Sequence, residues 1–379
     1  MESICLEHPD YGIKKGMWRK YRDLYAGGEQ LKANAAEYLA PRQKEGADIY
    51  GERLEKVFYE NYIGSIIDWY AATLFRREPM LLVEGDDTKG RAFYNEFAED
   101  CDLKGTNLTD FLRKQLIDML ITGSALTLVD FPRCSTRPRN RAEEDALGAS
   151  RAYLVDYPIE SLINWSIDER GSYEWVVLRS TVIRKADPKQ PELTKEIVWR
   201  YYDKTSFRIY RRIGDDTKNP VELIDSGLHA LAQQSRVPVF EMRVSDGLWL
   251  MNKAALLQLE HFNKSNALSW ALSMGLFAAP VVYSDREWNQ IVGESYYIQL
   301  GPNDRFGWTE PEGHVYQIAT ENLSRLQEEI YRGCYLMSQA HGSASNAAAQ
   351  SGLSKLRDFA ITQEVLRAYG DAVKDGMTR

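Results

Sequence analysis

The side chains best suited to chemistry are scattered through this 379-residue chain. His8, His229, His261, His314 and His341 lie far apart. None has a metal-ligating partner three or four residues on, the spacing that sets two ligands on one helix face. Cys5, Cys101, Cys134 and Cys334 show no C-x-x-C spacing and read as free thiols in a reducing compartment. The chain contains no G-x-x-x-x-G-K-[ST], H-E-x-x-H or G-x-S-x-G motif and no calcium loop. Acidic pairs such as Glu328-Glu329 fall on helix edges, where solvated salt bridging is the default. No catalytic residue, metal or cofactor is therefore expected, and an enzyme assembled from distant residues is the weakest reading. What remains is non-covalent contact. HGSASNAAAQSG, residues 341–352, has no bulky apolar side chain. It is too poor in apolar groups to pack a core, and too rich in Ser and Gly for a firm helix. Its hydroxyl, amide and backbone groups can touch phosphates weakly and without base readout.

Two amphipathic helices must position that stretch. The first is expected over 245–279, starting at the capping pair Ser245-Asp246 and ending near Gly275, ahead of Pro280. At 100° per residue Asn252, Lys253, Glu260, Asn263 and Lys264 share an arc of roughly 120°. Met251, Ala254, Leu257, Leu259 and Phe262 fill most of the rest. The second helix is expected over 321–340. Leu323, Leu326, Ile330, Cys334 and Met337 make a narrow stripe there. Glu321, Arg325, Glu328 and Arg332 line the opposite edge as two i,i+4 pairs. Seams this narrow suit helices packed side by side. Between the helices, 280–320 reads as short strands at Pro280–Tyr283, Tyr296–Leu300, Arg305–Trp308 and His314–Ile318, with turns at Gly301–Asp304 and Glu310–Gly313. A last helical pattern, Leu353, Leu356, Ala360, Gln363 and Arg367, runs on to the C-terminus.

Upstream, residues 11–48 are polar and partly helical, at Met17–Tyr25 and Gly28–Tyr38, and are expected to be peripheral. One long helix is expected from about Tyr50 to Arg77, with Leu54, Phe58, Tyr62, Ile66, Trp69, Tyr70 and Thr73 at helical spacing and Pro79 as the stop. That aromatic stripe is a core or contact face before it is a base-stacking platform. Phe93–Asp100 and Leu108–Ile121 are further helices. Strands follow at Ala125–Asp130, Ala152–Asp156, Trp175–Ile183, Ile197–Tyr202, Ser206–Ile213 and Val237–Met242. The basic run Arg133–Arg141 meets acids at Glu143, Glu144 and Asp145, and reads as an exposed loop rather than a nucleic-acid contact. The fold class expected is α+β.

This order of parts resembles the portal proteins of tailed double-stranded DNA phages. The resemblance lies in element order and diffuse patterns along nearly the whole chain, not in one specific motif. It implies a wing over 1–244, a first stem helix over 245–279 and a clip over 280–320. A second stem helix follows over 321–340, then a tunnel loop over 341–352 and a helix over 353–379. Tyr50–Arg77 resembles the helix that opens the family's wing; Gly123–Val129, Val155–Pro158 and Ile163–Trp165 resemble its strands. The chain stops about one helix after the loop, where the family continues into a larger crown, so the crown is either short or incomplete.

By the same resemblance the chain would form a closed homo-oligomeric ring, usually a dodecamer, at one capsid vertex of the virion. It would be assembled in the host cytoplasm beside the major capsid protein. Double-stranded DNA would enter through it, driven by a separate terminase, and leave through it on infection. His341, Ser343, Ser345, Asn346, Gln350 and Ser351 would touch DNA from the tunnel loop. Lys253, Glu260, Lys264, Glu321, Arg325, Glu328 and Arg332 would face the channel. Leu323, Leu326, Ile330 and Met337 would meet the next subunit. Trp288, Tyr296, Tyr297 and Trp308 would dock terminase and head-completion proteins. The net charge of −8 fits a conduit through which DNA slides, because a tight DNA binder is normally basic. Neither a signal peptide nor an apolar run long enough for a bilayer is visible, so a soluble, intracellular protein without membrane contact is expected. The alternative is a scaffold or adaptor that binds a partner helix with its hairpin.

Overall fold

The computed structural model describes residues 2–79, 88–132, 139–140, 142–143, 151–185, 193–275, 279–283, 305–309, 313–336 and 352–378. Helix α1 (Pro9–Ala26) starts where the His8 imidazole accepts the Asp10 N–H at 3.2 Å and Pro9 takes the first turn. It stops at Gly27, whose φ of 58° favours glycine. Tyr11, Trp18, Tyr21 and Leu24 are buried along one face, and the Trp18 indole donates to Thr122 O at 3.2 Å. With α2 (Gly28–Ala33) and the buried Leu31, Ala35 and Leu39, this segment belongs to the core. The expected peripheral role for 11–48 is thereby corrected. A few large aromatics on one narrow stripe outweigh a polar average.

The single helix expected over Tyr50–Arg77 is in fact two, α3 (Ala47–Glu55) and α4 (Tyr62–Leu74). Asn61 breaks it by capping α4, its side chain accepting the Gly64 N–H at 2.9 Å. Gly64 leaves room for the Tyr25 carbonyl, which a Cβ would meet at 2.8 Å. Helix α5 (Thr88–Glu99) follows, and then α6 (Leu108–Thr122), capped by Asn107 and closed by Gly123 in the left-handed region.

All strand pairs among the described residues are antiparallel, and the fold class is α+β. Strands β1 (Ser124–Asp130), β2 (Tyr153–Tyr157) and β8 (Val239–Arg243) form one sheet in the order β2-β1-β8. A five-stranded meander runs β3 (Leu162–Ile167), β4 (Tyr173–Lys185), β5 (Leu193–Asp203), β6 (Ser206–Ile213) and β7 (Glu222–Leu228). Strand β7 had no expectation behind it: ELIDSGL lacks alternation and lies along an exposed edge. The meander and the small sheet share one core, with Leu126, Val176, Leu178, Trp199, Tyr202 and Val239 inside. Arg22 of α1 ties α6 to the turn before β3, pairing with Asp118 and with Glu160 at 2.8 Å. Burial pushes the Asp118 carboxyl up, a push that the Arg22 guanidinium opposes.

Helix α7 (Leu250–Gly275) starts later than Ser245, because Trp249 is extended and its indole donates to Ile121 O at 2.9 Å. A short 3-10 turn, Asp246–Leu248, precedes it. Strands β9 (Ala279–Tyr283) and β10 (Arg305–Thr309) pair as expected. The strand expected at His314–Ile318 is instead the first turn and a half of α8 (Gly313–Gly333), so this helix starts eight residues before Glu321. HVYQI is rich in β-branched and aromatic residues, as strands are, yet it continues the helical pattern of the residues behind it. Helix α9 (Gly352–Thr378) packs back against β8, α4 and α6. Its buried stripe is Thr362, Val365, Tyr369 and Val373, whereas Ala360, Gln363 and Arg367 of the expected stripe are exposed.

Helix α7 is apolar on several sides at its base, with Leu250, Met251, Ala254, Ala255 and Phe262 buried, and Gln258, His261, Ser265 and Asn266 are buried among them. These polar groups hold irregular backbone. Gln258 accepts the Ile63 N–H at 3.2 Å and donates to Glu60 O at 2.7 Å. Asn266 accepts the Phe58 N–H at 3.1 Å and donates to Phe58 O at 2.9 Å. Asn263 does the same for Ala40 N and Tyr38 O, at 2.8 and 3.0 Å. Gln258→Leu keeps the volume but leaves the buried Ile63 N–H unpaired, and should cost about 2 kcal/mol in chemical denaturation. Asn263→Ala, nearer solvent, should cost about half as much; equal losses would show that burial does not grade these bonds.

His261 gives a pH dependence. Burial holds its imidazole below the ordinary value, and Glu60, 3.4 Å away, offsets this only in part. The neutral ring is therefore favoured by folding. The stability it contributes is present above about pH 6.5 and lost as pH falls below that. The unfolding midpoint should drop between pH 7.5 and 5.5, and His261→Gln should flatten that slope; an unchanged slope would assign it to another group.

Candidate functional site: the two-helix projection

Helices α7 and α8 run antiparallel as a hairpin. Lys264 Nζ donates to Asn322 Oδ1 at 3.0 Å, and the Tyr316 hydroxyl donates to Ala271 O at 3.3 Å. With 26 and 21 residues, at a rise of about 1.5 Å each, the helices extend roughly 39 and 31 Å. Strands β9 and β10 lie at the far end, where Ala279 faces Thr309 and Tyr283 faces Arg305.

The base of the hairpin is pinned by hydroxyl groups. Helix α8 ends at Gly333, and Tyr335 turns the chain with φ of 63°, a left-handed conformation that costs a bulky residue energy. The Tyr70 hydroxyl donates to Cys334 O at 2.7 Å, and the Thr362 hydroxyl donates to Tyr335 O at 2.8 Å. The Tyr335 hydroxyl in turn donates to Gly247 O at 2.8 Å, and Tyr369 donates to Leu248 O at the same distance. Helices α4, α7, α8 and α9 meet at this one point. Burial pushes the Tyr70 and Tyr369 phenols well up, and the Cys334 thiol up to about 12, so all three stay protonated near neutrality.

Several expected roles change here. Lys253 does not stand free in a channel: its ammonium lies 4.3 Å from the Tyr335 ring centroid and donates to the Tyr335 hydroxyl. Asn252 and Asn263, from the same polar arc, hold Tyr21 and the 38–40 backbone. Glu260 and Lys264 are exposed and pair with each other at 2.9 Å. Glu321 and Arg325 are exposed and Glu328 is half-buried. Arg332 pairs with Glu329 at 3.1 Å, and Glu321 accepts from Gln317 at 3.1 Å, so the two expected i,i+4 ion pairs are absent among the described residues. Leu326 and Ile330 are buried within this chain, and Leu323 is half-buried. Leu326 and Ile330 therefore need no neighbour to cover them, which corrects their reading as subunit contacts. Met337, Trp288, Tyr296 and Tyr297 lie outside the described residues, as do His341, Ser343, Ser345, Asn346, Gln350 and Ser351. Trp308 stands opposite Pro280 in the β9–β10 ladder.

What the hairpin leaves uncovered is different. Leu256 is 72 % exposed, Leu272 41 %, Val315 64 % and Ile318 53 %. Apart from Leu256, these sit in the outer half of the hairpin. The signal in the sequence is weak, because Val315 and Ile318 fall in a stretch that reads as a strand. A second feature missed from the sequence is a cavity of about 370 Å³ beside the small sheet, walled by Tyr94, Phe97, Phe111, Phe240 and Met377. Arg236 stands there, its guanidinium 4.8 Å from the Phe240 ring centroid. Among the described residues no group of three His, Cys, Asp or Glu could hold a metal. Among the same residues no helix is long and apolar enough to cross a membrane.

Lys253 separates a structural role from a channel role. Lys253→Met should lower the stability of the isolated chain by about 1–2 kcal/mol, through loss of a charge-assisted hydrogen bond and a cation–π contact. Glu260→Gln should change it by less than about 0.5 kcal/mol, as exposed pairs do. Equal, negligible effects in urea titrations would return Lys253 to the solvated face. In comparisons with known proteins, no family model and no curated protein matches this chain.

Proposed function

We propose that the chain is the subunit of a ring-shaped viral portal, forming the channel through which double-stranded DNA is packaged and later released. The observation that carries this reading is the hairpin α7–α8, with a β9–β10 ladder at its far end, a base locked into an α+β body and an outer half that exposes apolar side chains. A projection that is apolar on the outside and rigid at its base gains by packing beside copies of itself. Each fully covered Val, Leu or Ile contributes about 1.5–3 kcal/mol, and a closed ring repeats that gain at every interface. On this reading the β-bearing end meets terminase and head-completion proteins, and the body faces the major capsid protein at the vertex of the virion. The segment 341–352 would border the DNA path. The acidic net charge supports a channel wall that repels phosphate rather than gripping it.

The subunit contact is now assigned to Leu272, Val315 and Ile318, in place of the buried stripe. The variant Val315→Glu/Ile318→Glu alters exposed positions and should keep the circular dichroism spectrum and unfolding midpoint of the wild type. Wild-type protein should appear as closed rings in negative-stain images and the variant as monomers. Wild-type protein that stays monomeric at high concentration, or that binds one partner helix without closing, would favour the adaptor reading instead.

A further inference from the structure

The cavity of about 370 Å³ beside the small sheet serves neither the hairpin nor the assembly reading. Phe111 and Leu112 of α6 and Met242 of β8 are buried and form its floor. Tyr94 and Phe97 of α5 and Leu154 of β2 are half-buried and form its sides. Gln234 and Arg236 are exposed and mark its mouth. Close packing leaves few voids larger than one water in a domain, so an opening of this size weakens the core until something fills it. It has room for on the order of ten water-sized groups, which places it among cavities that hold small molecules.

The lining defines the chemistry of the occupant. It contains no Asp, Glu or Lys, and Arg236 is its one charge. The Arg236 guanidinium lies 4.8 Å from the Phe240 ring centroid, and no carboxylate pairs with it among the described residues. Arg236 and Phe240 also line a second, more polar recess of about 320 Å³, together with Arg170, Ser172, Tyr173 and Glu241. Glu241 is engaged there: it accepts from the Tyr173 hydroxyl at 2.7 Å and pairs with Arg243 at 3.1 Å. Arg236 therefore stands where an apolar chamber meets a polar one. A small, fully polar anion would gain nothing from the aromatic walls, and a plain hydrocarbon would leave the guanidinium unused. A doubly charged group such as phosphate would lie close to Glu241, whereas a carboxylate carries one charge and matches the planar guanidinium. We propose that this cavity binds a small amphipathic carboxylate. Its apolar body lies between α5, α6 and the small sheet, and its carboxylate pairs with Arg236. The inference does not rest on the portal reading.

The test uses the intact chain and octanoate, whose size matches the chamber, with acetate and octanol as controls. Calorimetry and thermal shift should show octanoate binding saturably at one site per chain and raising the unfolding midpoint. Acetate should do neither, and octanol should bind at least fivefold more weakly than octanoate. Arg236→Met, at an exposed position, should keep the fold and lower octanoate affinity to that of octanol. Val129→Phe fills the chamber from β1 and should abolish binding of both, with circular dichroism to check that it folds. If it does not fold, Arg236→Met alone still decides. Octanoate that binds no better than acetate or octanol, that binds at many weak sites, or that is indifferent to Arg236→Met would overturn the site. Binding that falls as the chain concentration rises would mean that a second copy fills the cavity, and would overturn it as well.

Discussion

The structure depends on the way α7 accepts the loose backbone of the chain's first sixty residues. Amide side chains at 258, 263 and 266 each donate to one main-chain carbonyl and accept from one main-chain N–H within 38–40 or 58–63. Irregular backbone cannot satisfy itself, so burying it demands partners of this kind. The break between α3 and α4 is tolerable only because Gln258 and Asn266 stand opposite it. Without them the N–H and C=O groups at the turn would face a core of Ile63, Ile67 and Phe262. The N-terminal segment and the hairpin therefore form one structural unit, although they are about two hundred residues apart.

From that unit the hairpin acquires its rigidity. Tyr70, Tyr335, Thr362 and Tyr369 come from three separate stretches and tie four helices at the base through hydroxyl-to-carbonyl bonds. Burial keeps the Tyr70 and Tyr369 phenols protonated, so they remain donors over the whole physiological range. The left-handed Tyr335 is held there by both its hydroxyl and its carbonyl. Beyond this knot α7 still meets the body through Gln258, Asn263 and Asn266, and toward the far end the two helices pack on each other. Polar groups there are exposed and paired locally, and apolar ones are left open. The contrast between a locked base and an uncovered outer half is the mechanical basis of the assembly reading.

Charge is distributed to match. The ions buried in the body come in pairs or networks, as with Arg22 between Asp118 and Glu160 and with Arg53 beside Glu45. Removing one member of such a pair strands the other, which makes these pairs structural rather than adjustable. Arg53 differs from Arg22 in leaving its Nε buried without a hydrogen-bond partner. The difference comes from neighbours brought together by folding, not from any run of basic residues. The basic run Arg133–Arg141 lies mostly outside the described residues and plays no part in it.

The sequence by itself determined most of the elements and little of their use. Capping residues and periodicity marked α6, the end of α7 and most strands, because those signals act within a few residues of chain. The α+β class followed from them. Wherever a local pattern was ambiguous, tertiary contacts decided. HVYQI reads as a strand and became a helix, and the break that Asn61 caps between Tyr50 and Arg77 is held by amides placed two hundred residues downstream. Residues 11–48 looked peripheral by average polarity and are anchored by Trp18 and Tyr21. The same rule governs the candidate sites. Lys253, Asn252 and Asn263 shared a polar arc on paper, yet folding engages them with Tyr335, Tyr21 and Tyr38 of the same chain. Leu326 and Ile330 read as a seam awaiting a neighbour, and the chain's own body covers them. An amphipathic pattern shows that a face must be buried, but the partner lies at a sequence distance that periodicity does not encode, so only the tertiary structure could name it.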